Sequence, residues 1–284
     1  RAELNLKADR VVLATPIVPS EMNKKLSTAL KVPLTTQGFF LEAHPKLRPL
    51  DFATDGIYVC GTCHSPQTLL DSICQALGAS SRAMIPLTKP KVVSEAIVAQ
   101  VNEKECIACA NCEKVCPYGA IRVEKSSARV NPFLCKGCGA CAVECPAMAI
   151  TMHHFTDDQI SAMIKAAMET MLDEEPKIIA FFCNWCAYAA ADMAGVSRFQ
   201  YPPSVRIIRV MCSGRVSQNH IIQAFLLGAD GVLIGGCHPG DCHYISGNLQ
   251  AEKRVMQVKK WLKEAGLEPE RLRLEWASAG EGKK

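Results

Sequence analysis

The chain has 284 residues, 49% of them hydrophobic and 21% charged, with a formal net charge of +4. That composition excludes a disordered chain, and its scattered basic residues form no stripe for nucleic acid. The longest apolar stretch, Ile178 to Ala191, is short for a bilayer and holds Asn184, so no transmembrane segment is expected.

No signal peptide opens the chain and its first residue is Arg, so a processed, truncated or internal fragment of something longer is expected. Sixteen cysteines are the dominant feature. Without a secretion signal, and with spacings that suit metal ligation better than loop stapling, they point to a reducing, cytoplasmic home.

Residues 1–90 read as alternating strand and helix. Arg10 to Ala14 and Gly56 to Cys60 are short apolar runs between turn residues, as buried strands require. After the second run, Ser65 is suited to cap a helix and Pro66 to begin it, with Leu69, Leu70, Ile73 and Leu77 on one face. A strand, a Gly turn and a helix N-terminus make a seat for an anionic or electron-rich cofactor. Cys60 and Cys74 read as core packing, whereas Cys63 sits at the turn, where a redox or ligand role is open.

A polar linker, Thr88 to Lys91, leads into residues 91–155, which contain an internal repeat. Cys106, Cys109, Cys112 and Cys116-Pro117 are answered by Cys135, Cys138, Cys141 and Cys145-Pro146, and each half runs on into a short strand, Ala120 to Val123 and Ala149 to Met152. The doubled C-x2-C-x2-C-x3-C-P run is specific for two [4Fe–4S] clusters. Three close thiolates wrap one cubane, and the fourth, before Pro, ligates the other. One cluster is assigned to Cys106, Cys109, Cys112 and Cys145, the second to Cys135, Cys138, Cys141 and Cys116. Zinc knuckles, the competing reading, rarely use such a run or its duplicate.

Residues 156–284 open with a capping box, Thr156 and Gln159, and a stripe of Ile160, Met163, Ile164, Met168, Met171 and Leu172 that reads as packing. Strands are expected over Lys177 to Phe182, Val205 to Met211, Gly231 to Gly236 and Leu272 to Trp276, with helices between, the last over Ala251 to Ala265. This is the pattern of a parallel α/β sheet. Cys183, Cys212 and Cys237 each follow a strand, on the sheet edge where cofactors bind. With Cys186 and Cys242 they give five candidates for a four-ligand site, and spacing alone leaves zinc and [2Fe–2S] open. Cys183, Cys212, Cys237 and Cys242 are preferred, and Cys186 is the expected spare because its helix position can point it away. His238 and His243 read as supports rather than ligands.

Two resemblances follow. Residues 8–15 (ADRVVLAT), 38–49 (GFFLEAHPKLRP) and 54–61 (TDGIYVCG), with the cysteine repeat, resemble the C-terminal part of the A subunit of heterodisulfide reductase. Residues 183–186 (CNWC), 209–215 (RVMCSGR), 230–244 (DGVLIGGCHPGDCHY) and 271–276 (RLRLEW) resemble the delta subunit of methyl-viologen-reducing hydrogenase. The first resemblance implies FAD in a thioredoxin-reductase-like domain, with Gly61 and Thr62 closing over it; the second implies a [2Fe–2S] cluster. The Gly-rich loop that opens such a flavin domain is absent, and Pro16 stands where related flavoproteins often have Gly. At most half an FAD site is therefore expected here, the rest lying in missing sequence or a partner chain.

The expected fold is multidomain, α/β and α+β: a partial FAD-binding α/β domain (1–90), a bacterial-type two-[4Fe–4S] ferredoxin domain (91–155) and a C-terminal parallel α/β [2Fe–2S] domain (156–284). By resemblance this is one component of an oxidoreductase, not active alone. It would relay electrons between a hydrogenase or formate dehydrogenase and a flavin of an electron-bifurcating, heterodisulfide-reductase-like complex, beside that complex's other subunits. The alternatives are a component of a quinone-interacting membrane-bound oxidoreductase and, in another class, a zinc-stabilised scaffold.

Overall fold

The computed structural model describes residues 7–30, 32–35, 37–52, 56–91, 97–172 and 175–284. Residues 54 and 55 of the 54–61 motif, residues 1–6 and the start of the second segment at 92–96 lie outside the described residues.

The C-terminal unit is built on four parallel strands, β5 (Ile178–Cys183), β6 (Val205–Val210), β7 (Gly231–Gly236) and β8 (Leu272–Trp276), in the order β6-β5-β7-β8. Ile178 lies beside both Val205 and Gly231, and Val232 beside Leu272, so the strand ends are aligned. One face carries Ile179, Phe181, Ile208, Val210, Ile234 and Leu272 against α5 (Asp157–Glu169), α7 (Gln218–Leu226) and α8 (Gly247–Glu264). Every fully buried Ile or Leu there contributes about 1.5–3 kcal/mol. The capping box at Thr156 forms as the sequence predicts. The stripe below it is narrower than predicted: Ile160, Ile164, Met168 and Met171 are buried, but Met163 and Leu172 are exposed. The other face carries α6 (Ala187–Val196), whose small Ala187, Ala190 and Ala194 are buried.

The middle unit has two antiparallel pairs. β1 (Ala99–Val101) joins β4 (Ile150–Met152), and β2 (Ile121–Glu124) joins β3 (Ser127–Val130). Two short helices, α3 (Asn111–Val115) and α4 (Ala140–Val143), complete the repeat.

The first unit departs from expectation. Among the described residues, 7–91 form no strand, only isolated bridges such as Asp51 with Tyr58. Val11, Val12 and Leu13, expected in a buried strand, are 79–91% exposed. A strand needs a neighbour to take its N–H and C=O groups, and these two runs do not pair with each other. A small core of Val32, Phe40, Phe52 and Val59 stands in their place. Helix α2 (Leu69–Leu87) does form, but Thr68 rather than Ser65 caps it, its Oγ1 accepting from Asp71 N at 3.2 Å. Arg82 clamps it to Asp51, with Nη2 2.9 Å from Oδ1. Leu69, Leu70, Ile73 and Leu77 are all exposed, as is Cys74, so none of them is core.

Candidate metal centres

In the middle unit the cysteine loops are shaped by left-handed residues. Ala108 and Ala110 in the first repeat, and Gly137 and Gly139 in the second, have φ of 54, 61, 73 and 79°. Such alternation turns backbone N–H groups inward, as an anionic cluster requires. Ala128 N donates to Cys106 Sγ, Ala120 N to Cys116 Sγ and Ala99 N to Cys135 Sγ, each at 3.4 Å. Bonds of this kind orient thiolates and tune a cluster.

The last cysteine of each run lies with the first three of the other run. Cys116, Cys135, Cys138 and Cys141 line one small cavity of about 20 Å³. Cys112 has Cys109, Cys145 and Cys106 as its charged neighbours. Each group of four is therefore brought together as the spacing predicts. Burial pushes the Cys138 thiol up to about 12 and Cys141 well above its ordinary value. Ligation must then displace those protons, which couples cluster uptake to proton release.

All five C-terminal cysteines also meet. Cys183 Sγ lies 3.7 Å from Cys237 Sγ, at the carboxyl ends of β5 and β7. Cys186 lies within hydrogen-bonding reach of both Cys183 and Cys237, so the expectation that it points away is corrected. As the residue that starts α6, its side chain turns back over the strand end. Cys212 touches only Cys242 among these thiols, its Sγ also accepting from Gly214 N at 3.4 Å. Cys183 and Cys242 accept hydrogen bonds from their neighbours, which holds both well below the ordinary thiol range. Among the described residues, no three His, Cys, Asp or Glu side chains converge to hold a single metal ion.

Asn248 pins the loop between Cys237 and Cys242, its Nδ2 donating to Cys237 O at 3.1 Å and His238 O at 2.9 Å. The two histidines are engaged elsewhere: His238 Nε2 with Glu281 Oε2 at 2.7 Å, and His243 stacked on Trp185 at 3.7 Å. Trp185 Nε1 donates to Tyr244 Oη at 3.0 Å, closing an aromatic wall around the site.

The C-terminal site abuts the second cysteine group of the middle unit. Beyond the larger effect of burial, the nearby Cys242 raises the Cys138 pKa; beyond its hydrogen bond to Cys242 and its burial, Cys212 is raised in turn by Cys138. Tyr118 is half-buried beside them, its hydroxyl donating to His243 O at 3.5 Å. Two buried arginines fasten the units: Arg254 Nη2 to Glu144 Oε1 at 2.7 Å, and Arg215, whose stem lies across Gly139. Arg215, Arg254, Tyr118 and Asn248 escaped the sequence reading, because a buried polar side chain has no periodic signature.

In the first unit, Gly61 has φ +75° and donates its N–H to Gln75 Oε1 at 3.0 Å; Thr62 is exposed beside it in a short 3-10 turn. Glu42 Oε2 lies 2.8 Å from His64 Nε2 next to that turn, and their hydrogen bond lowers the carboxyl pKa and raises the imidazole's. Cys63 is exposed, its S–H donating to Cys60 O at 3.1 Å.

The family described as methyl-viologen-reducing hydrogenase, delta subunit, matches residues 178–284, and the 4Fe-4S dicluster domain matches 99–146. The A subunit of the ferredoxin:CoB-CoM heterodisulfide reductase of Methanosarcina mazei is 43% identical over 97% of this chain and 35% of its own length. Over nearly all of its length the chain is a homologue of heterodisulfide reductase A subunits. Its last third is of hydrogenase delta type: the iron-sulfur D subunit of the vhc F420-non-reducing hydrogenase of Methanococcus voltae is 62% identical over 39% of this chain and 76% of its own length. The A subunit of the H(2):CoB-CoM heterodisulfide,ferredoxin reductase of Methanothermobacter marburgensis is 44% identical over 56% of this chain and 24% of its own length. The chain thus spans about a third of the first of these relatives. Its relatives are subunits of oxidoreductase complexes and it matches a 4Fe-4S dicluster domain, which together support an iron–sulfur electron-transfer role. Among the described residues no helix is long and apolar enough to cross a membrane.

Proposed function

We propose that this chain is a cytoplasmic relay carrying electrons between a hydrogenase or formate dehydrogenase and the flavin of a heterodisulfide-reductase-like, electron-bifurcating complex. The observation that carries the reading is the abutment of the two thiol sites, Cys138 against Cys242 and Cys212, with Tyr118 packed beside them. Iron–sulfur centres supply one-electron steps without proton bookkeeping. The chain's own residues fix where those centres sit, keep water away and donate to their sulfurs.

Cys106, Cys109, Cys112 and Cys145 would hold one [4Fe–4S] cluster, and Cys135, Cys138, Cys141 and Cys116 the second. A [2Fe–2S] cluster would take four of the five C-terminal thiols. The contacts favour Cys183, Cys186, Cys237 and Cys242, with Cys212 the fifth, because Cys212 touches only Cys242. Gly61 and Thr62 would close over an FAD whose phosphate contacts come from further sequence of the protein or from a partner chain; the left-handed Gly61 leaves open space there. The exposed stripe of α2 supports such a partner, because an apolar helix face seeks cover.

Metal analysis of anaerobically prepared protein tests the reading. Two four-iron centres and one two-iron centre give about ten irons per chain. Stoichiometric zinc with no two-iron spectrum would contradict the electron entry point.

A further inference from the structure

The two cysteine repeats match in ligands but differ in charge. Beside the second lies Arg215, only 1% exposed. Its Nε and Nη2 donate to Phe155 O at 3.2 and 2.9 Å, and Nη2 also donates to Asp157 Oδ1 at 2.9 Å. Nη1 is buried and has no hydrogen-bond partner in the described structure. The stem of Arg215 runs across Gly139, where an added Cβ would stand 2.3 Å from its Cδ. Gly139 lies between Cys138 and Cys141 and lines the same cavity as the four thiols. The equivalent position in the first repeat is Ala110, which carries the Cβ that Gly139 lacks.

We propose that Arg215 is a potential-setting residue: a fixed buried cation that raises the reduction potential of the cluster held by Cys135, Cys138, Cys141 and Cys116 above the value its ligands alone would give. The inference rests on the ligand reading above. One-electron reduction adds negative charge to a cluster and no proton, so a positive charge beside it stabilises the reduced form. Guanidinium cannot lose its proton in a protein, so the effect persists at any working pH. Asp157 offsets it only in part. Its side chain is 55% exposed and screened by water, whereas that of Arg215 is 1% exposed. The Nη1 hydrogens remain donors for an anionic acceptor.

EPR-monitored redox titration of the whole chain tests this, after iron content has been measured for each variant. C116S identifies which signal belongs to the second cluster. If it removes the signal of the Cys106 group instead, the ligand reading fails, whatever Arg215 does. R215Q should move the second cluster's midpoint to more negative potential and leave the first unchanged, and R215K should return most of the shift. D157N removes the offsetting charge and should move the same midpoint the opposite way. A merely structural arginine would give no shift, or shifts of one sign in R215Q and D157N, and either result overturns the proposal. Should R215Q fail to take up iron, D157N decides alone: an unchanged or more negative midpoint overturns it.

Discussion

Asp157 combines three interactions in one carboxylate. It opens α5, where the helix dipole favours an anion, it accepts from Arg215, and its Oδ1 lies 2.8 Å from His220 Nε2. His220 Nδ1 accepts from Ser217 N at 3.2 Å, which leaves the ring hydrogen on Nε2, close to Asp157 but poorly aligned. Burial keeps that ring's pKa below its ordinary value, so it is neutral at pH 7. The His220 contact, then the Arg215 charge, brings the Asp157 carboxyl from 3.8 down to about 2. A depressed carboxylate stabilises the fold above its unfolded pKa and loses that contribution as pH falls through its folded pKa. D157N should therefore cost roughly 1 kcal/mol near neutrality, discounted for the half-exposed carboxylate. The difference from the parent should shrink as pH falls from about 4 towards 2, as denaturant melts at stepped pH would show. None of this is legible in the sequence, where Asp157 is only an acidic residue after a cap. The grouping of the eight cysteines of the repeat was legible, because the reach of a short loop sets which thiols can converge.

At the scale of elements, α5 and α2 carry similar apolar periodicity but differ in what covers them. Ile164 on α5 is fully buried against the sheet, whereas Leu70 on α2 is 69% exposed. I164A should cost about 2–5 kcal/mol in a denaturant melt, because it opens a cavity in a packed core. L70A should stay within about 0.5 kcal/mol for the chain alone. Periodicity announces a helix and its apolar side; it does not say whether the covering surface belongs to the same chain. The same reason explains why the β5, β6, β7 and β8 runs were read almost to the residue while 10–14 and 56–60 were not strands. The first four pair with one another, and the last two do not. Cys186 was misjudged for a related reason: spacing placed it one turn beyond Cys183, but the close seat of the alanine-rich α6 turns it back over the strand end.

In the whole molecule the middle and C-terminal units share one continuous core, which contains Cys112 and Cys141 from one side and Cys183, Cys212, Cys237 and Cys242 from the other. Which cysteine group of the repeat faces the C-terminal site was not readable, because the repeat is nearly symmetric in sequence. Arg254, 4% exposed, breaks that symmetry by gripping Glu144 while also donating to Gly214 O at 2.7 Å in its own unit. Magnetic coupling between centres reports this order directly. In partly reduced, anaerobic protein, the EPR signal of the C-terminal centre should be broadened by its neighbour. C116S, which disturbs the cavity shared with Cys135, Cys138 and Cys141, should abolish the broadening, and C112S should leave it in place. Broadening that survives C116S and disappears in C112S would put the other cluster next to the C-terminal site and contradict the relay.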